Sequence, residues 1–347
     1  MFEVSYNRLA RKILNDSLQV KKGENLTIES WQGGLPFARR VLVEAKKKGA
    51  HTLLLLEDDE VFIEAAKSLS TENIGIMGQH EYRLLSSTDA YVFIPGPPIA
   101  VYTKAVTPTQ RSASTAYNSS WYAAAEEANL RGVRISFGYI GRDLARLYGK
   151  KSETIIAHQL RASLIDYKPI QAQGRIIAKA LEDDTKIELR SGGKLTFRLN
   201  GELVIEDGIV DKNDVSSGNN ISYIPPGRIR KGIDPDSVSG QIELSSAETP
   251  WGMVERLKLK FSNGVLASWA CQRGKQAMLE ILRKIPAEKR KVTILELGIN
   301  PAMKYGFAQD RFVAGSVTIG LPRLWGVAEQ ATVISGKKEL VQKGRLV

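Results

Sequence analysis

The sequence predicts an α/β N-terminal domain built on an open, mostly parallel sheet, followed by a sheet-rich α+β C-terminal domain. Three observations carry this. A chain of 347 residues exceeds what one hydrophobic core usually serves. In the first half, strand-like runs are separated by helical patterns of ten to fifteen residues, the signature of βαβ units. In the second half, apolar and polar residues alternate around Gly-Gly and Asn-Gly pairs, which signal hairpins. The boundary is expected near Lys168 and Pro169, giving domains 1–168 and 169–347.

In chain order, YNRLARKILNDSLQV repeats apolar residues at helical spacing, and ENLTIES follows as a short strand. PFARRVLVEAKKKGA has Pro36 near its start and Gly49 at its end, the usual asymmetry of helix termini. HTLLLLE reads as a buried strand from its continuous apolar run, and DEVFIEAAKSL as a helix. DAYVFIPG is a strand, SSWYAAAEEANLRG a helix and VRISFGY a strand. SETIIAHQLRASLIDYKPI reads as one long helix closing the domain. Beyond it, TKIELRSGGKLTFRLNGELVIEDGIV predicts hairpins at Gly192-Gly193 and at Asn200-Gly201, and RLKLKFSNGVLASWAC another at Asn263-Gly264. RGKQAMLEILRKIP is a helix, while KVTILELGI and GSVTIGL are strands.

The composition, 43% hydrophobic and 25% charged, is that of a soluble globular protein. No apolar run is long enough to span a bilayer, and the N-terminus lacks the apolar core of a signal peptide. A single cysteine, Cys271, rules out an internal disulfide framework and fits a reducing cytoplasm. The net charge of +11 is spread over both halves without a basic arm, which argues against nucleic-acid binding. A weak attraction to polyanions follows from the charge alone.

Most local motifs reduce to structural roles. Gly33 and Gly34, between a strand and a helix, lack the three spaced glycines of a dinucleotide fingerprint and read as a connecting turn. IPGPPI, residues 94–99, is either a crevice wall or a rigid loop. No G-x-S-x-G elbow occurs, and Cys271, at the end of VLASWAC, reads as a buried structural cysteine. Asp234 and Asp236 resemble the start of a calcium loop, but Pro235 interrupts them, Ser239 stands at the required glycine and Ser245 at the closing acid. The three histidines, His51, His80 and His158, all precede residue 159, and no H-E-x-x-H or Cys-x-x-Cys pattern offers zinc ligands.

The stretch ISYIPPGRIRKGIDPDSVSG concentrates Arg228, Arg230 and Lys231 behind a Pro-Pro-Gly turn, with Asp234 and Asp236 close behind. PPGRIRKGIDPDSVSG, ELGINP and GSVTIGL, together with LARKILNDSLQVKKGENLTIES and ARRVLVEAKKKGA, resemble the thermophilic metallo-aminopeptidases of the leucyl aminopeptidase (aminopeptidase T) family. A related branch is similar to the iron-dependent dihydroxypyridine dioxygenases. The resemblance covers nearly the whole chain and is weakest over residues 97–160.

The resemblance implies a site in which carboxylates and histidines hold metal ions and a metal-bound water attacks. Of the family's positions, the first carboxylate corresponds to Arg228 and the second is kept as Glu296. The strand histidine is replaced by Thr318, the catalytic tyrosine by Trp325, and the last ligand pair by Thr332 and Ile334. Zinc or cobalt needs three or four deprotonated donors, which these side chains do not supply. Arg228 is therefore expected to pair with Glu296, a guanidinium replacing metal charge.

The expected function is that of a metal-free pseudoenzyme binding a small anionic ligand or peptide in the cleft between domains, through Arg228, Arg230, Lys231, Glu296 and Trp325. The resemblance also implies a homodimer or larger assembly. One alternative is an active aminopeptidase holding zinc, cobalt or manganese through Glu296, Asp234 and Asp236. The other is a polyanion- or nucleic-acid-binding protein drawing on the net charge.

Overall fold

The computed structural model describes residues 2–98, 101–102 and 105–347, the side chains of 108 and 112 excepted. The chain divides into two units, each made of two segments. The first comprises Met1–Tyr167 and Gly208–Pro225, the second Lys168–Asp207 and Pro226–Val347.

In the first unit, β1 (Asn25–Trp31), β2 (His51–Glu57), β3 (Ala90–Ile94), β4 (Arg131–Ile135) and β7 (Ile221–Ile224) form a parallel sheet in the order β2-β1-β3-β4-β7. Helices Glu3–Lys12, Leu35–Lys47, Gln79–Ser86 and Pro108–Glu127 belong to this unit. Asp58 caps the helix Asp59–Ser68 by accepting the N–H groups of Glu60 and Val61, both at 2.9 Å. Leu26, Ile28, Val92, Ile94, Val133 and Ile135 are buried in the sheet.

The second unit is antiparallel. Its strands are β5 (Lys186–Arg190), β6 (Lys194–Glu206), β8 (Arg228–Ile233), β9 (Ser239–Thr249), β10 (Gly252–Ser262), β11 (Val265–Ala270), β12 (Ile294–Gly298), β13 (Val317–Leu321), β14 (Leu324–Ala328), β15 (Thr332–Ser335), β16 (Lys338–Gln342) and β17 (Arg345–Leu346). Among the described residues they run β11-β10-β9-β14-β13-β12-β8-β6-β5-β15-β16-β17. A further pairing of β6 with β9 joins β9, β14, β13, β12, β8 and β6 into a closed ring. Alternation sends Ile229, Leu295, Leu297, Val317 and Ile319 to one face, all buried. The opposite face carries the polar row described below.

Several sequence expectations need correction. HTLLLLE is a strand, but it lies at the sheet edge with Leu53 and Leu56 about half exposed, because an apolar run alone does not fix sheet position. The helix expected over residues 152–170 is two, Ser152–Ser163 and Lys168–Ala178. Asn200-Gly201 makes no hairpin: β6 runs through it with a register shift between Leu199 and Leu203. A single boundary at residue 168 is also too simple, since 208–225 returns to the first unit, where β7 extends the parallel sheet beside β4. Cys271 is half-buried rather than buried, next to the edge strand β11. Gly33 and Gly34 do form a short connecting turn, with Gly34 packed against Ile94 and Ser30, and Ile99 of the IPGPPI stretch lies outside the described residues. His51 and His80 are exposed, and His158 is buried in its helix. Among the described residues no helix is long and apolar enough to cross a membrane.

Candidate functional site

Three neighbouring strands bring the central groups together. In register, Glu206 of β6 faces Arg228 of β8, and Gly298 of β12 faces Arg228 from the other side. Glu296, two residues before Gly298, therefore points to the same face of the sheet as Arg228. On the far side of β12, Glu296 faces Thr318 of β13, and Trp325 of β14 faces both Gly320 and Glu248.

Arg228 is a buried hinge between two acids. Its Nε donates to Glu206 Oε2 at 2.7 Å and its Nη2 to Glu206 Oε1 at 2.5 Å, a bidentate fork. Its Nη1 donates to Glu296 Oε1 at 2.8 Å. Exposures of 4%, 2% and 0% for Arg228, Glu206 and Glu296 remove all three charges from bulk water. The guanidinium also lies 5.0 Å from the centroid of the Phe312 ring. The pairing expected between Arg228 and Glu296 is thus formed, but sequence reading missed Glu206, the acid with the closer grip. Its one sequence signal is phase, since alternation along β6 buries Val204 and Glu206 together.

The turn before Arg228 sets this geometry. Gly227 has φ +114°, and its N–H donates to Glu206 O at 2.6 Å while its carbonyl accepts from Ile299 N at 2.8 Å. Asn300 Nδ2 donates to Pro226 O at 2.7 Å. Close approach also matters on β12, where a Cβ at Gly298 would lie 2.2 Å from Val313 O and 2.7 Å from Arg311 O. The glycine lets the loop carrying Arg311 and Phe312 lie directly on the strand.

The second carboxylate oxygen of Glu296 is left over. Among the described residues nothing hydrogen-bonds to buried Oε2, and Arg311 Nη1 stands 3.9 Å away. The buried hydroxyls of Thr318 and Ser316 are likewise without partners among the described residues. Such groups usually meet a polar partner. Arg311 is partly exposed and stacks near two rings, 5.2 Å from the Trp325 centroid and 5.9 Å from that of Phe312.

Acids gather around Arg311. Burial raises the Glu248 carboxyl, and Arg311 opposes this. Asp310 is pushed up to about 6 by burial, opposed by N–H bonds from Gly306 and Phe307 and reinforced by Glu329 and Glu248. A raised acid holds its proton more tightly in the folded state. Asp310 therefore adds stability fully present below its ordinary 3.8, and that stability is lost as pH rises towards 6. Denaturant melts at pH 4, 5 and 7 should show this slope, and Asp310→Asn should flatten it. An unchanged slope in the variant would remove Asp310 from the account.

The other expected site residues do not converge here. Arg230 shares the face of Arg228 but pairs with exposed Glu202 at 3.2 Å. Lys231 points to the opposite face, where its Nζ meets Asp183 Oδ1 and Gly201 O, both at 2.6 Å. Sheet alternation thus divides a sequence cluster of three cations. Asp234 accepts the N–H of Asp236 in a short turn, and Asp236 pairs with Lys291. Asp234 lies roughly 13 Å along the strand from Arg230, the register partner of Glu296, at about 3.3 Å per residue. Neither aspartate can share an ion with Glu296. Thr332 and Ile334 face Arg190 and Glu188 of β5, and the Thr332 hydroxyl accepts from Lys343 N at 3.1 Å. The acid that this segment does bring towards Asp310 and Tyr305 is Glu329.

As a metal centre the donor set does not fit. Among the described residues no three His, Cys, Asp or Glu side chains are grouped to hold an ion. Glu206 and Glu296, the buried acids on either side of Arg228, already share its guanidinium.

No family model matches the sequence, and no curated protein matches it. Among solved structures, wild-type AmpT from Thermus thermophilus aligns over 100% of both chains with a TM-score of 0.68 and 15% sequence identity. The chain shares its fold with AmpT. At this identity the likeness to AmpT shows the architecture alone: a parallel sheet with helices, and a large antiparallel sheet.

Proposed function

We propose that this chain is a metal-free relative of the aminopeptidase T proteins, a ligand-binding pseudoenzyme rather than a working metallopeptidase. The observation that carries the reading is the Arg228 guanidinium, bonded at once to Glu206 and Glu296. A fixed cation there opposes any dication by direct repulsion in a poorly screened interior. It also uses three of the four carboxylate oxygens that an ion would need.

The ligand is a small molecule or peptide end bearing a carboxylate. Its carboxylate meets Arg311, its apolar part lies against Trp325, and an amino group faces Glu248. This replaces the wider basic patch expected from the sequence, because Arg230 and Lys231 are committed elsewhere.

Protein purified without chelators should contain far less than one equivalent of zinc, cobalt or manganese. It should leave a leucyl amide intact with each of these ions added, and dipeptides with a free carboxylate should bind more tightly than their amides. Arg311→Ala should erase that preference. Stoichiometric metal together with leucyl amide cleavage would overturn the reading, and steeply salt-dependent binding of RNA or DNA would point to the polyanion alternative.

A further inference from the structure

The first unit contains a second polar site, built on its parallel sheet. Glu29, Phe93, Arg134 and Tyr223 are register neighbours across β1, β3, β4 and β7, so they share one face of the parallel sheet. Tyr91, two residues before Phe93, points the same way. Helix Pro108–Glu127 adds Tyr117 and Trp121, four residues apart and hence on one side of the helix. All of these but Tyr223 line a cavity of about 70 Å³ whose rim includes Tyr122, 39% exposed. The sheet face beneath a covering helix is ordinarily apolar, and here it holds a carboxylate and a guanidinium.

The charges are unequal. Glu29 accepts the Tyr91 hydroxyl, and Glu81 accepts that of Tyr117. Glu57 and Glu81 both add negative potential at Glu29, and Arg134 opposes them. Arg134 is itself engaged by rings, its guanidinium 4.9 Å from the Phe93 centroid, 5.4 Å from Tyr139 and 5.8 Å from Tyr223. It also donates to the Tyr139 hydroxyl. The cavity therefore combines aromatic walls with surplus carboxylate, the chemistry that receives organic cations.

We propose that this cavity binds a small organic ammonium ion, held against the Glu29 carboxylate and over the rings of Tyr91, Tyr117 and Trp121. The volume suits a head group rather than a drug-sized molecule. Burial first, and then Glu57 and Glu81, push the Glu29 carboxyl up to about 7, against the Tyr91 hydroxyl and Arg134. The groups facing it are Glu57 of β2, Glu81 of the helix Gln79–Ser86, Tyr91 of β3, Tyr117 of the covering helix and Arg134 of β4. The ionised form of Glu29 is the one that binds, so affinity rises with pH.

The test uses the whole protein and tetramethylammonium chloride, whose charge does not titrate, at constant ionic strength against sodium chloride. The indole N–H resonance of Trp121, identified with Trp121→Phe, should shift saturably with millimolar tetramethylammonium and not with sodium. Affinity should rise roughly tenfold from pH 6 to pH 8, as a carboxyl titrating near 7 ionises. Glu29→Gln should weaken binding at least tenfold and remove the pH dependence. Should that variant fail to fold, Tyr117→Leu, which removes a wall of the cavity, should weaken binding with no loss of the pH dependence. Equal response to sodium, preferential binding of butyrate through Arg134, or full affinity in Glu29→Gln would each overturn the proposal.

Discussion

Replacing Arg228 by methionine should destabilise the second unit by roughly 3–5 kcal/mol, the range for removing one partner from a buried ion pair. The methionine fills much of the volume, so the loss is electrostatic. Glu206 and Glu296 would face each other with no cation between them, both almost wholly buried. At least one would have to take up a proton, and its bonds to the guanidinium would be gone. Urea denaturation followed by the fluorescence of Trp251, Trp269 and Trp325, all in this unit, would measure the change. Arg228→Glu should be worse, because it adds a third carboxylate. A combined replacement of Arg228 by Met with Glu206 and Glu296 by Leu should regain most of the loss, since apolar substitutes for a whole buried ion cluster are often neutral or stabilising. A change below about 1 kcal/mol in Arg228→Met would place the three-charge cluster among weak surface-type pairs and would sink its structural role.

Gly227→Ala should also be severe, by about 3–5 kcal/mol from left-handed strain and steric overlap together. A Cβ there would sit 2.6 Å from Asn300 Cβ and 2.7 Å from Asn300 N, so the collision includes backbone that cannot swing away. Relief requires moving either the turn from Glu206 or the Ile299–Gly227 bond, and both hold Arg228 between its acids. The same denaturation experiment reads this variant, and Gly23→Ala is a useful comparison. Gly23 also has positive φ, but nothing lies within 4 Å of its added Cβ. If the two variants lost equal stability, crowding at Asn300 would be irrelevant.

The sequence made the alternating elements of the first half and the hairpins at Gly192 and Asn263 legible, because apolar period and turn chemistry are local properties. It made the Arg228–Glu296 pair legible through a family resemblance and a charge argument. Register, which depends on long-range pairing, was beyond it. That is why nothing in the sequence pairs Glu206 with Arg228, and why Arg230 and Lys231 adjoin Arg228 in sequence without sharing its partners. Arg311 was hidden for a related reason: a loop over Gly298, rather than any strand pattern, carries it to Glu296. The cavity beside Glu29 could not be read at all, since four strands contribute one or two residues each and a helix the rest.

The excursion of residues 208–225 bears on how the protein is made. During synthesis the outer edge of β4 stays uncovered until Ile221–Ile224 has left the ribosome, by which time Lys168–Asp207, part of the other unit, has already emerged. Neither unit can therefore be completed in isolation as the chain grows. A truncated messenger ending before residue 221 should yield nascent chains with an unpaired strand and a marked need for chaperones.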